Sequence, residues 1–143
     1  MKKLAHCDMV LSIALSSLVA GCASTSSEPR DLFSIPVTGQ FSDGRPAAGQ
    51  ATARSDGMGV FWVQVPGGPK CSGTYAVRDP SPTLVVPGIC SDGRKAQVVI
   101  TRQADLMSGS AIVQLDGGLR GQFVFGNLTY GQTFGNGGIV LTR

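Results

Sequence analysis

Histidine is almost missing from this 143-residue chain: the single one, His6, lies in an N-terminal leader that is expected to be removed. Without histidine, a mature chain has no base for a histidine-dependent catalytic triad. Two remaining cysteines would not complete tetrahedral zinc coordination either. Aromatic residues are few, with six Phe, two Tyr and one Trp. Charged residues make up only 15% of the chain, which argues against a charge-rich disordered polymer. No apolar run reaches the roughly 20 residues that cross a bilayer as a helix. There is no G-x-S-x-G elbow, no phosphate loop, no G-x-G-x-x-G opening a helix and no calcium loop of alternating acids. No catalytic activity, cofactor or metal is expected.

What is present is glycine, 20 residues of it, together with 8 Pro and a hydrophobic share of 42%. The glycines follow no strict three-residue period, which excludes collagen. The length suits one domain. Once Lys2, Lys3 and Asp8 leave with the leader, ten basic and eight acidic residues remain. That balance excludes nucleic acid as a partner.

Residues 1–22 read MKKLAHCDMVLSIALSSLVAGC. Lys2 and Lys3 form a basic start, and Met9 to Ala20 form an apolar stretch too short for a membrane helix. The closing Val19-Ala20-Gly21-Cys22 resembles the lipobox of bacterial lipoproteins. That resemblance implies removal of residues 1–21 and acylation of Cys22, including a palmitate-type chain on its new amine. The membrane is then a partner through lipidated Cys22, since two or more acyl chains anchor stably. Residues 22–30 form the lipidated Cys and a small, polar tether. Ala23 in place of Asp implies the outer membrane of a two-membrane bacterium, facing the periplasm or the surface. The β-rich domain is expected over 31–143.

Cys7 leaves with the leader and Cys22 is acylated, so Cys71 and Cys90 remain to pair as one structural disulfide. Their Cα atoms are expected about 4.4–6.8 Å apart.

From Leu32 onward the pattern predicts strands near 35–41, 49–54, 59–65, 71–77, 83–86, 96–102, 108–115, 121–126 and 139–142, punctuated by Gly, Pro and Asp-Gly signals. The fold class is all-β, a small antiparallel barrel or sandwich of about eight or nine short strands. Asp-Gly pairs at 43–44, 56–57, 92–93 and 116–117 mark tight hairpin turns, where Asp and Gly both tolerate positive φ. Turn formation accounts for Asp43, Asp56, Asp92 and Asp116, leaving no carboxylate pair for hydrolysis. Arg45 and Arg94 read as solvated turn residues. Ser42-Asp43-Gly44-Arg45 recurs as Ser91-Asp92-Gly93-Arg94, and the segments from Gly49 and Gly109 echo each other. Over about 40 residues this resembles degenerate MORN-type β-hairpin repeats, lacking most of their Tyr and Trp positions. The resemblance implies successive hairpins in proteins that contact membranes or other proteins, without catalysis.

Two functions follow. One is a lipid-anchored interaction or structural module that meets an envelope protein or cell-wall component. The other is a barrel that binds a small apolar ligand, unless Phe61, Val63, Val98, Phe123 and Phe125 fill its interior. In Gly59–Val65, Phe61, Val63 and Val65 form the core face, so Val60 and Trp62 point away. Trp62 and Val60 are the candidate partner-binding residues unless Tyr130–Gly138 covers them. That C-terminal segment otherwise reads as a connection to the last strand.

Overall fold

The computed structural model describes residues 27–135. The leader, Cys22, the start of the tether and the strand expected at 139–142 lie outside the described residues. Eight strands follow in order: β1 (Asp31–Phe41), β2 (Pro46–Arg54), β3 (Met58–Gln64), β4 (Lys70–Ala76), β5 (Thr83–Cys90), β6 (Lys95–Arg102), β7 (Gly109–Leu115) and β8 (Arg120–Phe125). Each pairs antiparallel with the next, and β1 pairs with β8 to close an up-and-down barrel. Closure leaves every strand with two neighbours and removes the exposed edges an open sheet would present.

Period-two alternation sends one side of each strand inward. On β6 the inward set is Ala96, Val98, Ile100 and Arg102, all buried, with Gln97 and Thr101 exposed between them. Glycine makes this interior possible. A Cβ at Gly59 would run into the Tyr75 ring, one at Gly121 into Phe123 and Phe41, and one at Gly73 into Phe61. The aromatic rings occupy volume that glycine vacates on the neighbouring strand, which is how a narrow barrel holds large side chains. Phe41 and Phe123 meet edge to face, with ring centres 5.5 Å apart.

The Asp-Gly turns form, but only their glycines enter the left-handed region: Gly44, Gly57, Gly93 and Gly117 have φ of 84° to 87°. The aspartates stay out of it, although they too tolerate positive φ. Instead their carboxylates accept backbone N–H groups, from Arg45 for Asp43, Met58 for Asp56 and Arg94 for Asp92, at 3.0–3.1 Å. The echoed turns are alike in detail. Each pairs its Arg and Asp side chains, Arg45 with Asp43 at 2.7 Å and Arg94 with Asp92 at 2.8 Å. Such exposed pairs contribute little to stability.

Strand β5 runs on to Cys90, past the expected end at Val86, because Pro87 and Gly88 sit inside it rather than breaking it. The cost appears on one side: β4 and β5 pair only over Cys71–Gly73 with Gly88–Cys90. At the end of this short ladder Cys71 lies opposite Cys90 and is bonded to it. Their Cα atoms are 3.8 Å apart, closer than the expected range, because the bridge joins directly opposed residues of adjacent strands.

The barrel has two unlike ends. At one end, Phe41, Ala47, Val65, Cys71, Cys90 and Leu115 are buried and plug the interior. At the other end lie the start of β1 and the loops after β2, β4 and β6. Replacing both cysteines by alanine should lower unfolding stability by about 3 kcal/mol, the loop-closure entropy of a bridge spanning some 20 residues. Urea unfolding with and without reductant checks this: coincident midpoints for the two forms would remove the bridge from the stability of the fold.

Candidate ligand-binding cavity

Behind the plugged end the interior does not fill. A cavity of about 90 Å³ opens toward the other end, walled by Phe61, Val63, Val98, Phe123 and Phe125, the residues whose packing was expected to decide this point. Space survives because Ala51 and Ala111 stand where larger side chains would project. The volume exceeds what single waters need, at roughly 30 Å³ each in the liquid, but is below the roughly 300 Å³ of drug-sized pockets. It suits a small apolar group or the end of a chain.

The mouth is also apolar. Leu32, Phe33, Met58, Leu106 and Met107 are large exposed hydrophobics gathered at this end. Among them Phe33 and Leu106 also line the cavity. The first residues of β1, up to Pro36, extend beyond the β8 ladder, which begins at Val37.

Leu106 is held there against its own preference. Its φ is 58°, and it is the only non-glycine with positive φ among the described residues. A branched side chain in this region is strained. The loop is fixed by Asp105, whose carboxylate accepts from the Met107 and Ser108 backbone N–H groups and from Ser108 Oγ, each at 2.9 Å. These bonds hold the Asp105 carboxyl below its ordinary value. Ser108 is fully buried and its Oγ also accepts from the Asn127 N–H. An acidic side chain that looks available for chemistry is thus committed to shaping the rim.

Two polar groups reach the cavity wall. Tyr75 is one, and burial pushes its phenol up while the nearby Arg102 charge opposes the shift, so it keeps its proton at neutral pH. Arg102 is the other, at 7% exposure. Its Nη2 donates to the backbone oxygens of Asp79 and Ser81, the latter at 2.5 Å. Its buried Nε has no partner among the described residues. Sequence reading missed this residue, although Arg102 continues the Val98–Ile100 face at period two and so had to point inward.

The other candidates lie elsewhere. Asp43, Asp92 and Asp116 sit in turns at the plugged end, and Asp56 sits in the β2–β3 turn at the mouth. Arg45 and Arg94 pair with their own turn aspartates. Trp62 and Val60 are half-buried on the outer face. Lys70 Nζ stands 4.3 Å from the Trp62 ring centre, beside Ile89, which is exposed. Cover from the C-terminal segment is not found among the described residues. Tyr130–Phe134 forms a short helix, α1, capped by Thr129 and Gln132, and packs on β8. Tyr130 Oη donates to Gln122 Oε1 at 3.1 Å. The outward-facing side chain buried on that strand is Val124, at 2% exposure. A second layer exists, but over β8, because Thr129 starts the helix only a few residues after β8 ends.

No family model matches the chain, and no curated protein matches it. Solved structures do. The redesigned β-barrel mFAP1, bound to DFHBI, aligns with TM-score 0.51 and 20% identity over 64% of this chain and 90% of that one. The redesigned barrel mFAP0, also bound to DFHBI, aligns with TM-score 0.49 and 19% identity over 64% and 93%. The mFAP1 likeness concerns the barrel fold.

Trp62→Ala should leave the barrel folded and shift its stability by about 1 kcal/mol or less, the scale of an exposed cation–π contact. Thermal unfolding checks this; collapse of the fold would instead make Trp62 part of the core.

Proposed function

We propose that this chain is a lipid-anchored, non-catalytic barrel that binds a small, largely apolar ligand. The observation that carries the reading is the apolar cavity open at one end of a closed barrel, with an apolar rim around its mouth. Apolar surface in such a pocket gains by trading water for a ligand. The likeness to mFAP1, which is bound to DFHBI, agrees with this use of the fold.

An environment-sensitive apolar dye carrying a short alkyl tail, which can enter where the dye body cannot, tests the cavity. Its fluorescence should rise with the native protein, and Ala111→Phe, which projects a ring into the cavity, should abolish the rise. Ala51→Leu serves the same purpose if the phenylalanine variant fails to fold. Equal dye binding by a folded, filled variant would place the site elsewhere.

The anchor rests on the sequence, through Val19-Ala20-Gly21-Cys22 behind a basic, apolar leader. In this reading the tether delivers β1, and with it the mouth of the barrel, close to the outer membrane. Mass spectrometry should find the mature chain starting at acylated Cys22, with Cys22→Ser blocking processing. An unmodified, soluble mature product would overturn the anchor.

A second reading uses the outside of the barrel. Trp62, Val60 and Ile89 border one open groove with the Lys70 charge at its edge, a composition suited to an envelope protein or cell-wall component. A photo-crosslinking residue at position 62 should then capture one discrete partner in the cell, whereas absence of any adduct would retire this surface.

A further inference from the structure

We infer that the cavity selects amphiphiles carrying a carboxylate, with Arg102 binding the head group and the apolar wall taking a short alkyl tail. The inference rests on the ligand-binding reading of the same cavity and adds the class of ligand.

Arg102 is the starting point. A guanidinium carries five N–H donors in a planar fork and stays charged in proteins. Burying it is costly unless its donors and its charge are answered. Here Nη2 is answered by two backbone carbonyls, but Nε is buried without a partner. Among the described residues no carboxylate forms an ion pair with Arg102; the ion pairs there join Arg45, Arg54 and Arg94 to their own turn aspartates. The acids on the two flanking loops make their hydrogen bonds elsewhere; the Ser81 hydrogen bonds and, to a lesser degree, the Arg102 charge hold the Asp79 carboxyl below its ordinary value. Asp79 accepts from the Ser81 N–H at 2.8 Å, and Asp105 is bonded into its own loop.

An incompletely satisfied cation therefore lines an apolar cavity, close to a protonated phenol on Tyr75. A carboxylate brings a negative charge and acceptor oxygens into the cavity beside a guanidinium that the Asp79 charge answers only from beyond ion-pair distance. The two carbonyls on Nη2 hold the guanidinium in place beforehand, so little side-chain freedom is lost on binding.

Position along the barrel sets the orientation of the ligand. Arg102 is the last residue of β6, at the mouth, whereas Val63, Val98 and Val113 lie deeper. The head group stays near the mouth and the tail points down. A volume of about 90 Å³ limits the enclosed part to a few carbons. Longer chains would extend past Phe33 and Leu106 at the rim.

The test compares pentanoate with 1-pentanol and pentylamine, which match it in tail and differ in head group. Titrations use the mature protein and follow both affinity and the Arg102 Nε–H resonance by NMR. Pentanoate should bind about tenfold more tightly than pentanol, the scale of one charge-assisted hydrogen bond. It should also shift the Nε–H signal, and pentylamine should bind most weakly. Arg102→Gln should erase the preference while pentanol binding persists, and Arg102→Lys should keep part of it. If Arg102→Gln unfolds, the head-group comparison and the Nε–H shift in the unsubstituted protein decide. Equal binding of pentanoate and pentanol, with Nε–H unmoved, overturns the role of Arg102 and leaves the cavity standing. Failure of all three, together with the apolar dye, overturns the cavity itself.

Discussion

The β4–β5 seam is the constraint on which the rest of the barrel turns. Every other pair of neighbouring strands shares a longer ladder, but these two pair only over Cys71–Gly73 and Gly88–Cys90. The disulfide fastens the seam at the plugged end. Toward the mouth the strands part, and the loop between them is held from the side instead. Arg102 donates to the oxygens of Asp79 and Ser81 through Nη2, and its backbone N–H donates to Pro82 O at 2.7 Å. One covalent bond and one buried cation thus close the barrel where the sheet itself does not.

This arrangement links stability to the cavity. Tight packing at the disulfide end gathers Phe41, Val65, Leu115 and the two cysteines into a plug. Above it the same inward alternation continues, but small residues alternate with rings and the space does not close. The rim costs something to build: Leu106 sits in the left-handed region, and the Asp105 carboxylate holds its loop. Strain kept in place by a dedicated side-chain network belongs with the mouth of a cavity more readily than with an inert cap.

Much of the barrel was legible because hairpin chemistry is local. Eight of the expected strands coincide with β1 to β8 within a few residues, since Asp-Gly turns and period-two alternation act over short spans. The extension of β5 through Pro87 was not legible, because a proline is tolerated there only where the β4 ladder ends. The helix at Tyr130–Phe134 was not legible for a similar reason: which strand such a segment packs on depends on closure of the sheet, and α1 meets β8.

The sequence by itself determined an all-β chain and the partnership of Cys71 and Cys90, since each depends on residue type and spacing. It also determined that Trp62 and Val60 face away from Phe61 and Val63, because alternation along a strand is fixed by backbone geometry. Only the tertiary structure decided between barrel and sandwich, through pairing of β1 with β8, residues that are distant in the chain. It alone decided that the interior keeps a cavity, because that depends on how side chains from all eight strands share one volume. It also placed Arg102 within that volume, buried and with Nε unpaired, because the carbonyls that answer its Nη2 belong to a loop about 20 residues away.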